Sequence, residues 1–562
     1  MKRKLTKGLA VSIALMLSTS ALTGCGGGGG NTDAATLYVY SFTSGFGSEW
    51  LTSLIADYEE KMKDVEIDGK VGINIEPTTL DSDVSGTAMR SRQEVVYFLE
   101  QQDYYALLDG NYIADITSAI TSVNPYDGKT LESKMFDDQK SYFGRDVNGE
   151  THYYAYPHYF TSFGIVYDIE LFDTKGYYFV DGYDASGALE NMFLGTWGGT
   201  KTAGPDGEKG TSDDGLPTTY EEFFLLCDYI NYCNDNPLVW SGQHRNAYLT
   251  HFINALATDY EGYEQMRLNF TFDGEAKNLG TVVNDAFVKD TETTNIDGTN
   301  GAELARQAGK YYAMDFYDTL YNKSYIKGAT ETLYSSTYSH KKAQEDFIKN
   351  PINTQKNAML LDGSWWQTEA TPWFSVMEKT DTDYSKQNKK LGWMPLPKQS
   401  AELVNGKSTM YDIMYPLCVM KSGLDTNSWQ YQYALDFIQF ANSDEQLAKF
   451  TQITGCTKAL NYELTKPQYD ALSPFGQSFY DAYKSADIVF PYDNNLLFAN
   501  NQATFKEIDS TGTGSPLYKS NAYSTERCFV ASLESGKSTG EYSNGMYSYF
   551  NNDLSGIWKK SK

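Results

Sequence analysis

Residues 36–77 read TLYVYSFTSGFGSEWLTSLIADYEEKMKDVEIDGKVGINIEP, and their spacing sets out a strand, a helix and a second strand. Thr36 to Tyr40 alternates as a half-buried strand does. Ser48 stands where a helix cap belongs, and Leu51, Leu54, Ile55, Tyr58 and Met62 then recur on one helical face. Gly72 to Glu76 is the next strand, which Pro77 is expected to stop. Strand, helix and strand in this order predict an α/β fold with a mostly parallel sheet. The loop Thr43-Ser44-Gly45-Phe46-Gly47 then lies at the carboxyl end of the first strand, where open α/β sheets bind ligands.

Working outward, Phe163 to Tyr167 and Asn357 to Leu361 read as further strands, the second running into Asp362-Gly363-Ser364-Trp365-Trp366. Thr219 with Glu222 predicts a capping box at the start of a helix, and Ser443 with Gln446 predicts another. Trp429 to Phe440 has amphipathic helical spacing. Two stretches interrupt this pattern. Residues 196–217 are rich in glycine and acid, and residues about 270–300 are polar, so both read as insertions.

The first 30 residues read MKRKLTKGLAVSIALMLSTSALTGCGGGGG. A cationic start and a short apolar run make an export signal over 1–24, too short to span a membrane. Leu22-Thr23-Gly24-Cys25 resembles a bacterial lipobox, in which Cys25 is lipidated, and residues 25–35 form a tether. The chain is therefore expected on the outer face of a cell membrane, held by its lipid. There it has little access to ATP or NAD(P)H, which leaves binding, hydrolysis and surface interaction.

Once the four cations of the signal are gone, 42 Lys and Arg face 73 Asp and Glu, a net charge of −31. Such a surface repels nucleic acid. Aromatics make up 15% of the chain, with 45 Tyr. Tyr and Trp can stack on the C–H faces of a sugar and hydrogen-bond its hydroxyls. The five cysteines after Cys25 are Cys227, Cys233, Cys418, Cys456 and Cys528. They fit neither a disulfide framework nor a zinc motif, so free thiols are expected.

Several segments together resemble the extracellular solute-binding proteins of ABC importers, the maltose-binding-protein-like family. They are TLYVYSFTSGFGSEW, HYYAYPHYFTSFGIVYDIELFD, LPTTYEEFFLLCDYI, NAMLLDGSWWQ, LGWMPLPK, ALDFIQFANSDEQLAKFTQITG and ASLESGKSTGEY. The resemblance implies a two-lobed periplasmic-binding-protein-like fold with ligand between lobes joined by hinge segments. The first lobe would be 36–157 with 369–424, and the second 158–368 with 425–562. It implies a monomer that captures an oligosaccharide and delivers it to ABC permease subunits, with no enzymatic activity and no required cofactor. A surface glycan hydrolase, a receptor for a non-sugar solute and a partner of a sensor kinase are the alternatives.

The expected ligand contacts are Ser44, Phe46, Asp83, Tyr159, Trp240, Trp365, Trp366, Tyr411 and Asp412, which would supply aromatic walls and polar groups to a cleft. Asp206, Asp213 and Asp214 crowd one glycine-rich loop with Glu208. Close carboxylates repel unless they are solvated or bridged, so this loop could hold a structural calcium ion or simply face water. It lacks the EF-hand pattern.

Overall fold

The computed structural model describes residues 34–558, apart from 101–103, 324, 327–334, 351–354, 492, 502–535, 537 and 554. The export signal, Cys25, the tether to residue 33 and Cys528 lie outside the described residues.

The opening unit forms as its pattern predicts. Strand Ala35–Phe42 pairs in parallel with Ile73–Leu80 on one side and with Val96–Leu99 on the other. Helix Glu49–Met62 buries Trp50, Leu51, Leu54, Ile55, Tyr58 and Met62. Ser48 holds the cap position, but its side chain makes no capping bond. The second strand does not stop at Pro77. It runs on to Leu80 because it is an edge strand, where a missing N–H can face outward at no loss to the ladder.

This first sheet has the order Ile73–Leu80, Ala35–Phe42, Val96–Leu99, Leu417–Met420, Ala155–Pro157. Leu417–Met420 enters antiparallel to both of its neighbours. A second sheet has the order Asn236–Val239, Asn357–Gly363, Phe163–Asp168, Leu391–Met394, and only its first pair is parallel. Both sheets are therefore mixed rather than mostly parallel. Local spacing sets the βαβ unit, whereas the direction of a strand returning from far along the chain depends on where it crosses between lobes.

The strand pairing also moves the lobe boundaries. Leu391–Met394 belongs to the second sheet, and helix Pro474–Ser485 packs on it. Helices Trp429–Ala441 and Asp444–Thr454 pack on the first lobe's helices instead. The chain thus passes between lobes along three segments, near 158–162, 395–416 and 455–473. These are bonded to one another. The His158 N–H donates to Pro416 O at 3.0 Å, Phe160 N–H to Thr457 O at 3.0 Å, and Ile413 N–H to Thr161 O at 3.0 Å.

The two insertions are ordered by short ladders and turns. In the second, Gly274–Ala276 pairs with Thr294–Ile296, and Gly280–Val283 forms a hairpin with Ala286–Lys289. Of the two expected capping boxes, the Thr219 side chain accepts from the Glu222 N–H, while Glu222 turns to Thr218. Ser443 instead donates to Phe440 O, and Gln446 donates to Asp57. Cys227, Cys233, Cys418 and Cys456 are free. Among the described residues no helix is long and apolar enough to cross a membrane.

Candidate functional site

The lobes meet where the first strand's loop faces the end of strand Asn357–Gly363. Gly45 (φ +80°) lies so close to Trp365 that a Cβ on it would stand 3.1 Å from the indole. That position requires glycine twice over, for the backbone and for the approach. Trp365 is 8% exposed. Its ring has Tyr248 and Phe163 at 6.5 Å each. On the first lobe's side, Phe46 packs on Tyr159 with ring centroids 4.1 Å apart. Ser44 is exposed beside them.

Carboxylates line the same seam. Glu100 follows strand Val96–Leu99 at its carboxyl edge. Its N–H donates to Asp83 Oδ1 at 3.0 Å, and the Tyr159 hydroxyl approaches its Oε1 at 3.5 Å. Burial, then the Asp83 charge, pushes the Glu100 carboxyl well above the ordinary range. Across the seam, His340 Nε2 lies 3.0 Å from Glu369 Oε1. Gln344 Nε2 donates to Glu369 at 2.8 Å and to Asp362 at 2.9 Å. Burial would raise Glu369, but the hydrogen bond and charge of His340 hold it low. Asp362 is lifted to about 7 by burial and then by the Glu369 charge. His244 packs on His340 at 5.0 Å.

Beneath the first lobe's wall sits a buried cation. Lys458, 2% exposed, places its Nζ 2.7 Å from His158 Nδ1 and over the rings of Phe450 (4.5 Å) and Trp50 (4.9 Å). Burial lowers this amine to about 7. His158 in turn packs on Tyr159 at 4.7 Å.

The structure therefore gathers Ser44, Phe46, Asp83, Tyr159 and Trp365 of the expected contacts at this seam, with Phe46 and Tyr159 themselves buried (2% exposed each), and it places the others elsewhere. Trp366 is fully buried among Phe347, Phe374 and Phe475, because consecutive residues at a helix start point apart. Trp240 is fully buried against Tyr317. Tyr411 pairs its strand with Asp487–Val489 and sets its ring near Phe270. Asp412 is a crossing staple: its Oδ1 accepts from the Thr161 N–H at 3.1 Å and the Thr161 hydroxyl at 2.5 Å.

The acidic loop closes on itself. Asp213 accepts from the Asp206 N–H at 3.0 Å and the Thr211 hydroxyl at 2.7 Å, and Asp214 accepts from the Gly210 N–H at 2.8 Å. Among the described residues no three acidic, His or Cys side chains converge as a metal site. Backbone N–H groups of this glycine-rich turn and the Thr211 hydroxyl thus bridge the Asp213 and Asp214 carboxylates. Asp206 and Asp213 also line a cavity of about 450 Å³ beside Trp393, the crossing residues Ser162 and Met410, and Phe163, whose other neighbour is Trp365.

Sequence reasoning missed Glu100, Tyr248, His340 and Glu369. Glu100 was findable, since VVYFLE at 95–100 is an apolar run ending in an acid at a strand's carboxyl edge. The others come from helices whose approach to the seam depends on tertiary packing.

No family model matches the chain, and no curated protein matches it in sequence. Solved structures do match its fold. A chitin oligosaccharide binding protein is similar at a TM-score of 0.53 and 14% identity, over 92% of this chain and 98% of that one. The GacH receptor of Streptomyces glaucescens, solved unliganded and with acarbose, gives 0.51 and 13% over 94% and 100%. RafE from Streptococcus pneumoniae, in its apo form, gives 0.51 and 13% over 93% and 98%. The fold is thus the two-lobed α/β fold of solute-binding proteins, spanning nearly the whole chain.

Proposed function

We propose that this chain is a lipid-anchored, extracytoplasmic receptor that captures an oligosaccharide and passes it to an ABC importer. One observation carries the reading. Three bonded crossings join two sheets whose facing edges bring Phe46, Tyr159 and Trp365 together with Asp83 and Glu100. Flat rings and carboxylate acceptors are what a polyhydroxylated, partly apolar ligand needs. The solved neighbours, described as binding chitin oligosaccharide, acarbose and raffinose, support sugar as the ligand class. The amino-terminal signal and Cys25 support the anchored location.

Capture would work by closure. Ligand contacts made from both lobes favour the closed arrangement over the open one, and the crossings absorb the change. The outer rims of the lobes would dock on the permease. Titration calorimetry of the mature chain against a panel of oligosaccharides tests this, with scattering to follow closure. Binding of at least one sugar with a fall in radius of gyration is the expected result. Tight binding of a peptide or ion, with no sugar bound, would overturn it.

A further inference from the structure

We propose that the cavity of about 450 Å³ beside Trp393 is a second binding site, one that takes a small organic cation, an ammonium carried on a compact apolar body. The site stands apart from sugar capture: of the residues that form the seam, only Phe163 lines it. Its walls come from separate parts of the chain. Helix Arg245–Thr271 supplies Ala255 and Asp259, and helix Pro474–Ser485 supplies Ala482. Two of the crossings supply Ser162, Leu396 and Met410. The glycine-rich insertion closes the remaining side with Asp206 and Asp213. With Phe163 and Trp393 added, the lining is largely apolar with a few polar groups, and its volume suits a small ligand.

The protein leaves those polar groups incomplete. Asp259 is 8% exposed, and its Oδ1 accepts from Lys398 Nζ at 2.7 Å and from the Thr409 N–H at 3.0 Å. Its Oδ2 accepts from nothing among the described residues. Ser162 is 2% exposed, and its hydroxyl likewise has no hydrogen-bond partner among them. Asp213, also 8% exposed, takes one neutral donor on each oxygen, where a carboxylate has room for about four. No cation among the described residues pairs with it.

These groups select the ligand. A buried carboxylate with neutral donors alone lacks a counter-charge, and an anion would add to the repulsion. A metal ion does not fit either, since no three acidic, His or Cys side chains converge among the described residues and the apolar wall offers it no ligand. An ammonium on an apolar body uses both halves of the site. Its N–H groups make charge-assisted hydrogen bonds to the carboxylate oxygens, and its body covers the Phe163 and Trp393 rings, whose faces also attract a cation. Water is the competing occupant, because it satisfies the same oxygens but gains nothing from the rings.

The experiment is calorimetry of the mature chain with three probes of similar shape: 2-phenylethylamine, 2-phenylethanol and 3-phenylpropionate. The amine, charged at neutral pH, should bind with a submillimolar Kd and at least about tenfold more tightly than the alcohol or the anion. Asp213→Asn keeps an acceptor for its loop and should erase the preference for the amine over the alcohol. Ala482→Phe, on the half-buried rim, fills the space and should abolish amine binding, with folding of both variants checked by their melting curves. Equal affinity of the wild type for amine and alcohol, or no binding of either, means a cavity filled only by water and overturns the inference. Full amine affinity in Ala482→Phe overturns it too, by placing the ligand elsewhere, and that variant decides the matter if Asp213→Asn fails to fold.

Discussion

Alanine at Gly45 and at Gly47 should separate lobe closure from backbone strain. Both glycines have positive φ, +80° and +64°. Each alanine therefore carries a left-handed backbone cost of about 1–2 kcal/mol, present whether the lobes are open or closed. Their surroundings differ. A Cβ at Gly47 meets Thr368 Cγ2 at 3.5 Å, an ordinary contact, whereas at Gly45 it meets three Trp365 atoms at 3.1–3.2 Å. That crowding exists only when the lobes touch. Overpacking of this kind costs about 1–3 kcal/mol, and one methyl belongs at the lower end. About 1 kcal/mol against closure weakens binding about fivefold. Gly45→Ala should thus bind the sugar found in the panel about fivefold more weakly than wild type, and Gly47→Ala within twofold, both measured by calorimetry. Both should lose similar melting temperature. Equal affinity losses in the two variants would refute the claim that Gly45 and Trp365 meet in the bound state.

The two adjacent tryptophans should behave in opposite ways. Trp366→Ala empties a site walled by three Phe rings and should cost about 3–5 kcal/mol of stability in chemical denaturation. Trp365→Ala should instead weaken sugar binding at least about tenfold, with a smaller stability loss; the reverse order would place Trp365 in the core. Asp362 and Glu261, both raised to about 7, and Asp138, raised to about 6, owe their shifts first to burial. Their folded values exceed the unfolded ones, so the folded chain holds more protons between about pH 4 and 7, and stability falls as pH rises through that window. Asp362→Asn should flatten the fall in melting temperature from pH 5 to pH 7, and an unchanged slope would count against the shift. Finally, chelator and calcium should leave the melting curve unmoved, because the Asp213 and Asp214 carboxylates already accept from their own loop. A calcium-specific rise, abolished by Asp213→Ala with Asp214→Ala, would restore the ion.

Elements defined by local periodicity were legible. Helix Glu49–Met62 buries the positions its spacing marks, and strand Asn357–Gly363 runs into Trp365 as expected. What the sequence hid was set by contacts far apart in the chain. The side of a strand that Leu391–Met394 joins depends on pairing with Val166, more than two hundred residues earlier. The same holds within the site. Ser44 and Phe46 follow from a strand-end rule. Trp366 and Asp412 sit one residue from seam or strand positions and face inward, and sequence alone does not tell which of two neighbours turns which way. Ser443 shows the limit of motif matching, since its capping partner Gln446 found Asp57 on another helix instead.

The three crossings also govern the order in which the molecule can be made. Leu417–Met420 sits between Val96–Leu99 and Ala155–Pro157, so the first sheet is incomplete until residue 420 has been synthesised. Asn357–Gly363 fills a similar gap between Asn236–Val239 and Phe163–Asp168. A nascent chain of three hundred residues would therefore carry open strand edges in both halves, each able to pair with another chain. Neither lobe is a contiguous segment that could fold first and template the other. Both sheets can therefore close only once residue 420 has been made, and until then each half keeps a strand gap that a partner strand from another chain could fill.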